Sequence, residues 1–156
     1  MPTHTNLLRK VARVSRELST GFDAQLKSLG MTTARARVML LLARSPEGVS
    51  QAAVTDFLGV EHPTAVRILD GLEALGHIRR EPAPNDRRAK LIVLTALGRP
   101  VAAQVDVMTE RLNAQLLDGL DEADLAATDG VLDILLDRIV TLKSLLDQEL
   151  VGEVTP

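Results

Sequence analysis

The stretch SQAAVTDFLGVEHPTAVRILDGLEALG, residues 50–76, decides the fold. Ser50 suits the cap of a helix over Gln51–Leu58, and Gly59 can end it in a left-handed conformation. Pro63 suits the first turn of a second helix that runs to about Leu75, where Gly76 stops it. The link Gly59-Val60-Glu61-His62 is short and tight. A short helix, a glycine-containing turn and a second helix form the helix-turn-helix pattern.

Working outward, residues 5–28 predict a helix, with Leu7, Leu8, Val11, Val14, Leu18 and Phe22 at spacings of three and four. Gly30 stops it, and Thr32 or Thr33 can cap the next helix, about Thr33–Ala43. That helix carries Val38, Met39, Leu40, Leu41 and Leu42, so it belongs in the middle of the fold. Ser45-Pro46-Glu47-Gly48 reads as a turn.

Downstream, His77–Glu81 and Ala89–Leu94 predict two strands, the second rich in β-branched residues. Between them, residues 82–88 (PAPNDRR) read as a hairpin tip. Thr95 and Gly98 mark the start of another helix, reaching Leu117. After a turn over Asp118–Glu122, a last helix runs to about Leu150. It carries Leu125, Val131, Leu132, Leu135, Leu136, Ile139, Leu142, Leu145 and Leu146, more apolar surface than a helix on a small monomer needs. The expected organisation is a helix over 1–30, a helix-turn-helix lobe over 31–98, two helices over 99–150 and a tail over 151–156. The fold class is mainly α with a small β-hairpin.

The 156 residues suffice for one domain, or for two small lobes. Phe22 and Phe57 are the only aromatics, so aliphatic side chains must build the core. The absence of cysteine excludes disulfides, thiolate metal sites and thiol-based redox sensing. No apolar run approaches the roughly 20 residues of a membrane span. The opening MPTHTNLLRK has no apolar signal region, and a cytoplasmic protein is expected. The net charge of −3 hides an asymmetry. Residues 1–99 hold 15 Lys/Arg against 9 Asp/Glu, a net of +6, and residues 100–156 hold 3 against 12, a net of −9. The basic part suits an anionic partner.

The order of these elements resembles the multiple-antibiotic-resistance regulator (MarR) family of bacterial winged-helix transcription factors, from about residue 7 to 146. The most specific block is DRRAKLIVLTALG, residues 86–98, where Asp86, Arg88, Leu94-Thr95 and Gly98 fit the family's wing pattern. GMTTARARVMLLL resembles its second helix, SQAAVTDFLGV its third, and Thr64–Gly76 its recognition helix. The resemblance implies a winged helix-turn-helix with a helical dimerisation region. It also implies a homodimer reading a pseudo-palindrome in double-stranded DNA, with half-sites about 10–10.5 base pairs apart.

In the recognition helix, Ala65, Ile68, Leu69 and Leu72 form the inward face. Pro63, Thr64, Val66 and Arg67 then lie at the outer face of the first two turns. The resemblance makes these four the groove-reading residues. Arg67 can bond guanine O6 and N7 together, Thr64 a base or phosphate, and Val66 a thymine methyl. Arg87, Arg88 and Lys90 are the wing contacts. Arg88 suits a narrow minor groove, and Asp86 is expected to orient it. Ser50, Gln51, Thr55 and Arg37 are lesser phosphate candidates. Glu61-His62-Pro63 replaces the small hydroxyl residues commoner in the family, and Glu61 is expected to cap the helix.

Family members often respond to small aromatic or phenolic anions. Arg9, Arg13, Arg16 and Arg37 are the candidate anion partners, with Glu17 and Asp23 as their alternative ion-pair partners. The scarcity of aromatics offers little ring stacking. No catalytic set is expected: His4, His62 and His77 lack companions at a telling spacing, and there is no glycine-rich phosphate loop. Asp121-Glu122-Asp124 reads as a helix start and not as a metal cluster. Neither a metal nor a cofactor is expected. The competing reading is a winged-helix module that binds protein and not DNA.

Overall fold

A computed structural model of the chain describes the backbone of residues 3–83 and 86–152, and the side chains of residues 6–83 and 90–146. The chain divides into two compact units, Met1–Leu112 and Asn113–Pro156. The first unit holds α1 (Thr3–Leu26), a 3-10 turn (Lys27–Leu29), α2 (Thr33–Ala43), β1 (Val49–Ser50), α3 (Gln51–Leu58), α4 (His62–Ala74), β2 (Ile78–Ala83), β3 (Asp86–Leu94) and most of α5 (Gly98–Leu117). The second holds the end of α5 and all of α6 (Glu122–Gly152).

Side-chain caps fix the corner between α1 and α2. Thr32 accepts from the Arg35 N–H and so caps α2. Asp23 accepts from the Thr33 N–H, and the Thr33 hydroxyl donates to the Ser19 carbonyl at 3.1 Å. Helix α2 buries Ala36, Val38, Met39 and Leu42, as expected of the central helix. Around it pack Leu26, Met31, Val54, Leu58, Leu69, Leu72, Ile78, Ile92, Leu94, Ala102 and Val105. The core is aliphatic, with half-buried Phe22 at its edge.

The helix-turn-helix forms where its end signals lie. The Ser50 hydroxyl accepts from the Ala53 N–H at 3.1 Å, and Gly59 closes α3 at φ 65°. A side chain at that φ costs roughly 1–2 kcal/mol, so glycine suits the turn. Glu61 stands at the N-cap of α4, but its carboxylate accepts no cap bond. Glu61 thus holds the N-cap position expected of it, and its carbonyl accepts from the Thr64 and Ala65 N–H groups.

The three strands form one antiparallel sheet in the order β1-β3-β2. Ile78 pairs with Leu94 and Pro82 with Lys90, and after a bulge Ala83 pairs with Asp86. The hairpin is therefore longer than the sequence suggests, and residues 86–88 belong to β3 and not to a loop. Asp86, Arg87 and Arg88 are all charged, so the sequence there offers no apolar alternation to read. The two-residue β1, which pairs Val49 with Ile92, was not anticipated. Helix-turn-helix and three-stranded sheet together make a winged helix.

Thr95 joins the sheet to α5. Its hydroxyl donates to the Gly76 carbonyl at 2.6 Å and accepts from the Gly98 N–H at 2.9 Å. Its own N–H donates to the His77 carbonyl at 3.0 Å. Gly98 is packed so tightly that a Cβ there would overlap the His77 carbonyl. This gives a packing reason for the threonine and glycine of the wing pattern.

In the second unit, Asp121 caps α6 by accepting from the Ala123 N–H at 2.9 Å and the Asp124 N–H at 3.2 Å. The acidic cluster is thus a helix start. Among the described side chains of α6, only Leu125, Leu132 and Leu135 are half-buried, and the rest are exposed. The exposed set includes Val131, Ile134, Leu136, Ile139, Val140, Leu142, Leu145 and Leu146.

Candidate nucleic-acid interface

Helix α4 is held by one face and offers the other. Ala65, Leu69 and Leu72 are fully buried, which fixes the rotation of the helix about its axis. Pro63, Thr64 and Arg67 are consequently exposed, and Val66 is half-buried. Among the described residues, neither the Thr64 hydroxyl nor the Arg67 guanidinium meets a hydrogen-bond or ion-pair partner. Arg67 can therefore present its fork of N–H donors without first breaking a bond. The positive end of the helix dipole favours an anion at the same place.

The lesser candidates of α2 and α3 have local duties. The Ser50 hydroxyl is the cap of α3. The Thr55 hydroxyl donates to the Gln51 carbonyl at 2.9 Å. Arg37 donates to the Phe57 carbonyl at 3.0 Å, and its guanidinium lies 5.0 Å from the centre of the Phe57 ring. That contact contributes about 0.5–1 kcal/mol at an exposed site and ties α2 to the end of α3. Gln51 reaches His62, with 3.4 Å between the two Nε2 atoms, across the helix-turn-helix junction.

On the wing, Lys90 is exposed on β3. The side chains of Asp86, Arg87 and Arg88 lie outside the described residues, so the expected orienting pair belongs there too. On α1, Arg9, Arg13 and Arg16 are exposed. Arg13 stands 4.0 Å from Glu17, a solvated pair contributing about 0–1 kcal/mol. Asp23 accepts from the start of α2 and, among the described residues, pairs with no arginine.

Sequence reading missed Arg80, which locks the wing to α4. Its guanidinium pairs with Asp70 at 2.6 Å and with Glu73, while its N–H donates to Glu73 at 3.2 Å. The Arg80 side chain is only 18% exposed, so its desolvated charge depends on both carboxylates. The available signal was Asp70 and Glu73, three residues apart on one helix, followed by Arg79-Arg80. Arg79 turns instead to Glu81 in an exposed pair. Among the described residues no group of acids, histidines or cysteines could hold a metal ion. No helix there is long and apolar enough to cross a membrane.

Comparison with known proteins agrees with this geometry. The MarR family model matches residues 29–89. The transcriptional regulator PA3341 is 35% identical, and the match covers 86% of this chain and 98% of that one with a TM-score of 0.80. MepR of S. aureus, in complex with DNA, is 22% identical over 89% of this chain and 99% of its own, with a TM-score of 0.77. CouR from Rhodococcus jostii RHA1, bound to p-coumaroyl-CoA, is 24% identical over 80% and 87%, with a TM-score of 0.75.

Proposed function

Because the chain belongs to the MarR family of transcriptional regulators, we propose that it is a homodimeric repressor of a pseudo-palindromic operator, released by a small aromatic or phenolic ligand. The observation that carries the DNA reading is the state of α4: one face is locked in the core, and Thr64 and Arg67 stand exposed on the other, without a partner among the described residues. Residues 31–98 are the DNA-binding lobe. Pro63, Thr64, Val66 and Arg67 read the major groove. Arg87, Arg88 and Lys90 carry the wing contact, with Asp86 orienting Arg88. Ser50, Gln51, Thr55 and Arg37 flank the backbone.

Residues 1–30 and 99–150 form the dimer region. The apolar side chains left exposed along α6 support this, because monomers rarely leave so large an apolar surface uncovered. A two-fold pair places two recognition helices about one DNA turn apart. Arg9, Arg13 and Arg16 are the candidates for the ligand's anionic group. The DNA complex of MepR and the p-coumaroyl-CoA complex of CouR support the two binding roles, since both proteins have this fold. The protein acts in the cytoplasm, where its operator is.

A fluorescence titration against the DNA upstream of its own gene, at two salt concentrations, tests the reading. Six to ten phosphate contacts should weaken binding by roughly 10³–10⁵ between 50 and 200 mM salt. Arg67→Ala should remove about 1–3 kcal/mol of discrimination for the operator. Aromatic acids added to the complex should release the DNA. No binding to any duplex at low salt would overturn the DNA reading and favour a protein-binding module.

A further inference from the structure

Gly71 sits one helical turn beyond Arg67 on the same side of α4, and it has an unusual neighbour. The guanidinium of Arg35, from α2, lies against its backbone. A Cβ at Gly71 would land on Arg35 Nη2, 3.0 Å from Cζ and 3.2 Å from Nε. The same guanidinium donates from Nη1 to the Gly30 carbonyl at 3.3 Å. Gly30 closes the 3-10 turn that ends the α1 segment. One half-buried side chain thus spans from the α1–α2 corner to the recognition helix, and the missing side chain at Gly71 makes the space for it. Gly71 lacks a positive φ that would otherwise explain a glycine there, and glycine inside a helix is costly relative to alanine.

Resting on the DNA-binding reading, we infer that Arg35 is a positioning residue that sets the stance of α4 through its contact with Gly71. Thr64 and Gly71 are seven residues apart, about 10 Å along the axis at 1.5 Å per residue. A tilt of about 6° at Gly71 moves the first turn by about 1 Å. That is enough to spoil a bidentate hydrogen bond, whose distances hold within a few tenths of an ångström. Arg35 acts through α4, and its donors face protein carbonyl and backbone.

The test compares wild type, Arg35→Ala, Arg35→Met, Gly71→Ala and the Arg35→Ala/Gly71→Ala double variant. Each is titrated with the upstream DNA and with a random-sequence duplex of the same length, over a range of salt. The methyl of Gly71→Ala displaces the flexible guanidinium, so this variant should behave as Arg35→Ala does. Each single variant should lose about tenfold in operator affinity, within the range seen for coupled neighbours. The double variant should lose no more than either single. Random-duplex affinity and the salt slope should hold. Urea unfolding of Gly71→Ala should show stability held or raised, separating positioning from folding.

A salt slope lowered by about one in Arg35→Ala would make Arg35 a phosphate contact and overturn the inference. So would losses that multiply in the double variant, or unchanged operator binding in the singles. Wild type that binds no duplex would sink the DNA-binding reading along with it. Wild type that binds while the variants behave in any of these ways sinks the inference alone.

Discussion

The winged-helix lobe and α6 are built of the same aliphatic residues, yet they use them in opposite ways. From Met31 to Leu94, every element sends side chains into one core or packs against it, β1 through half-buried Val49. Val38, Met39, Val54, Leu69, Leu72 and Ile92 are shut off from solvent. Along α6, Leu136 is 60% exposed and Val140 67%. Each such side chain would contribute about 1.5–3 kcal/mol if fully covered. The lobe is complete within one chain. Helix α6 has a surface that makes sense only when something apolar lies on it, and a second copy is the partner proposed above.

That contrast can be broken first from the lobe side. Gly98→Ala places a methyl in the His77 carbonyl, where the contact is with backbone and not with a flexible side chain. We expect a loss of about 4 kcal/mol or more, read as the urea midpoint of the lobe, at any protein concentration. An unchanged midpoint would mean that the Thr95 junction does not hold the lobe together. Next comes the pair Ile139→Asp and Leu142→Asp on α6. If the face is an interface, dimer dissociation should rise by 100-fold or more, about 3 kcal/mol, seen by sedimentation at micromolar protein. The isolated lobe should keep its circular-dichroism signature, and a monomeric wild type would contradict the comparison outright.

The smallest change sharpens the lobe itself. Arg80→Ala leaves Asp70 and Glu73 facing each other without their cation. Both carboxylates keep solvent access, so the expected loss of stability is about 1–2 kcal/mol. Hydrogen exchange should quicken in β2 and in the last turns of α4 while α2 stays protected. Uniform quickening would mean that the ion pairs do not act as a local clamp between wing and helix.

The parts of this fold that wrote themselves into sequence are those with one-dimensional causes. Ser50 caps three residues ahead and Gly59 closes nine residues after it, so α3 was legible to the residue. The inward face of α4 follows from spacing alone. The wing was legible only at its base. Beyond Glu81 the sequence shows no apolar alternation, in Pro82-Ala83 or in Asp86–Lys90, although the ladder continues past Pro82–Lys90 to Ala83–Asp86. Strand β1 exists because Ile92 lies beside Val49, a relation that no local pattern contains. Of the candidate site, exposed Thr64 and Arg67 followed from helical geometry. Arg80 and Arg35 did not, because their partners lie on other elements, up to 36 residues away in the case of Gly71.

The contact between Arg37 and Phe57 has a further consequence, which is optical. The chain contains neither tryptophan nor tyrosine, so it has no native emitter beyond two weak phenylalanines. Phe57 is 42% exposed at the end of α3, under a guanidinium that also holds the Phe57 carbonyl. Phe57→Trp keeps a ring at this spot and strengthens its attraction for the cation. It also installs the sole indole of the molecule beside the turn that leads into α4. The helix-turn-helix would then report its own surroundings against a dark background, without a label and without subtraction.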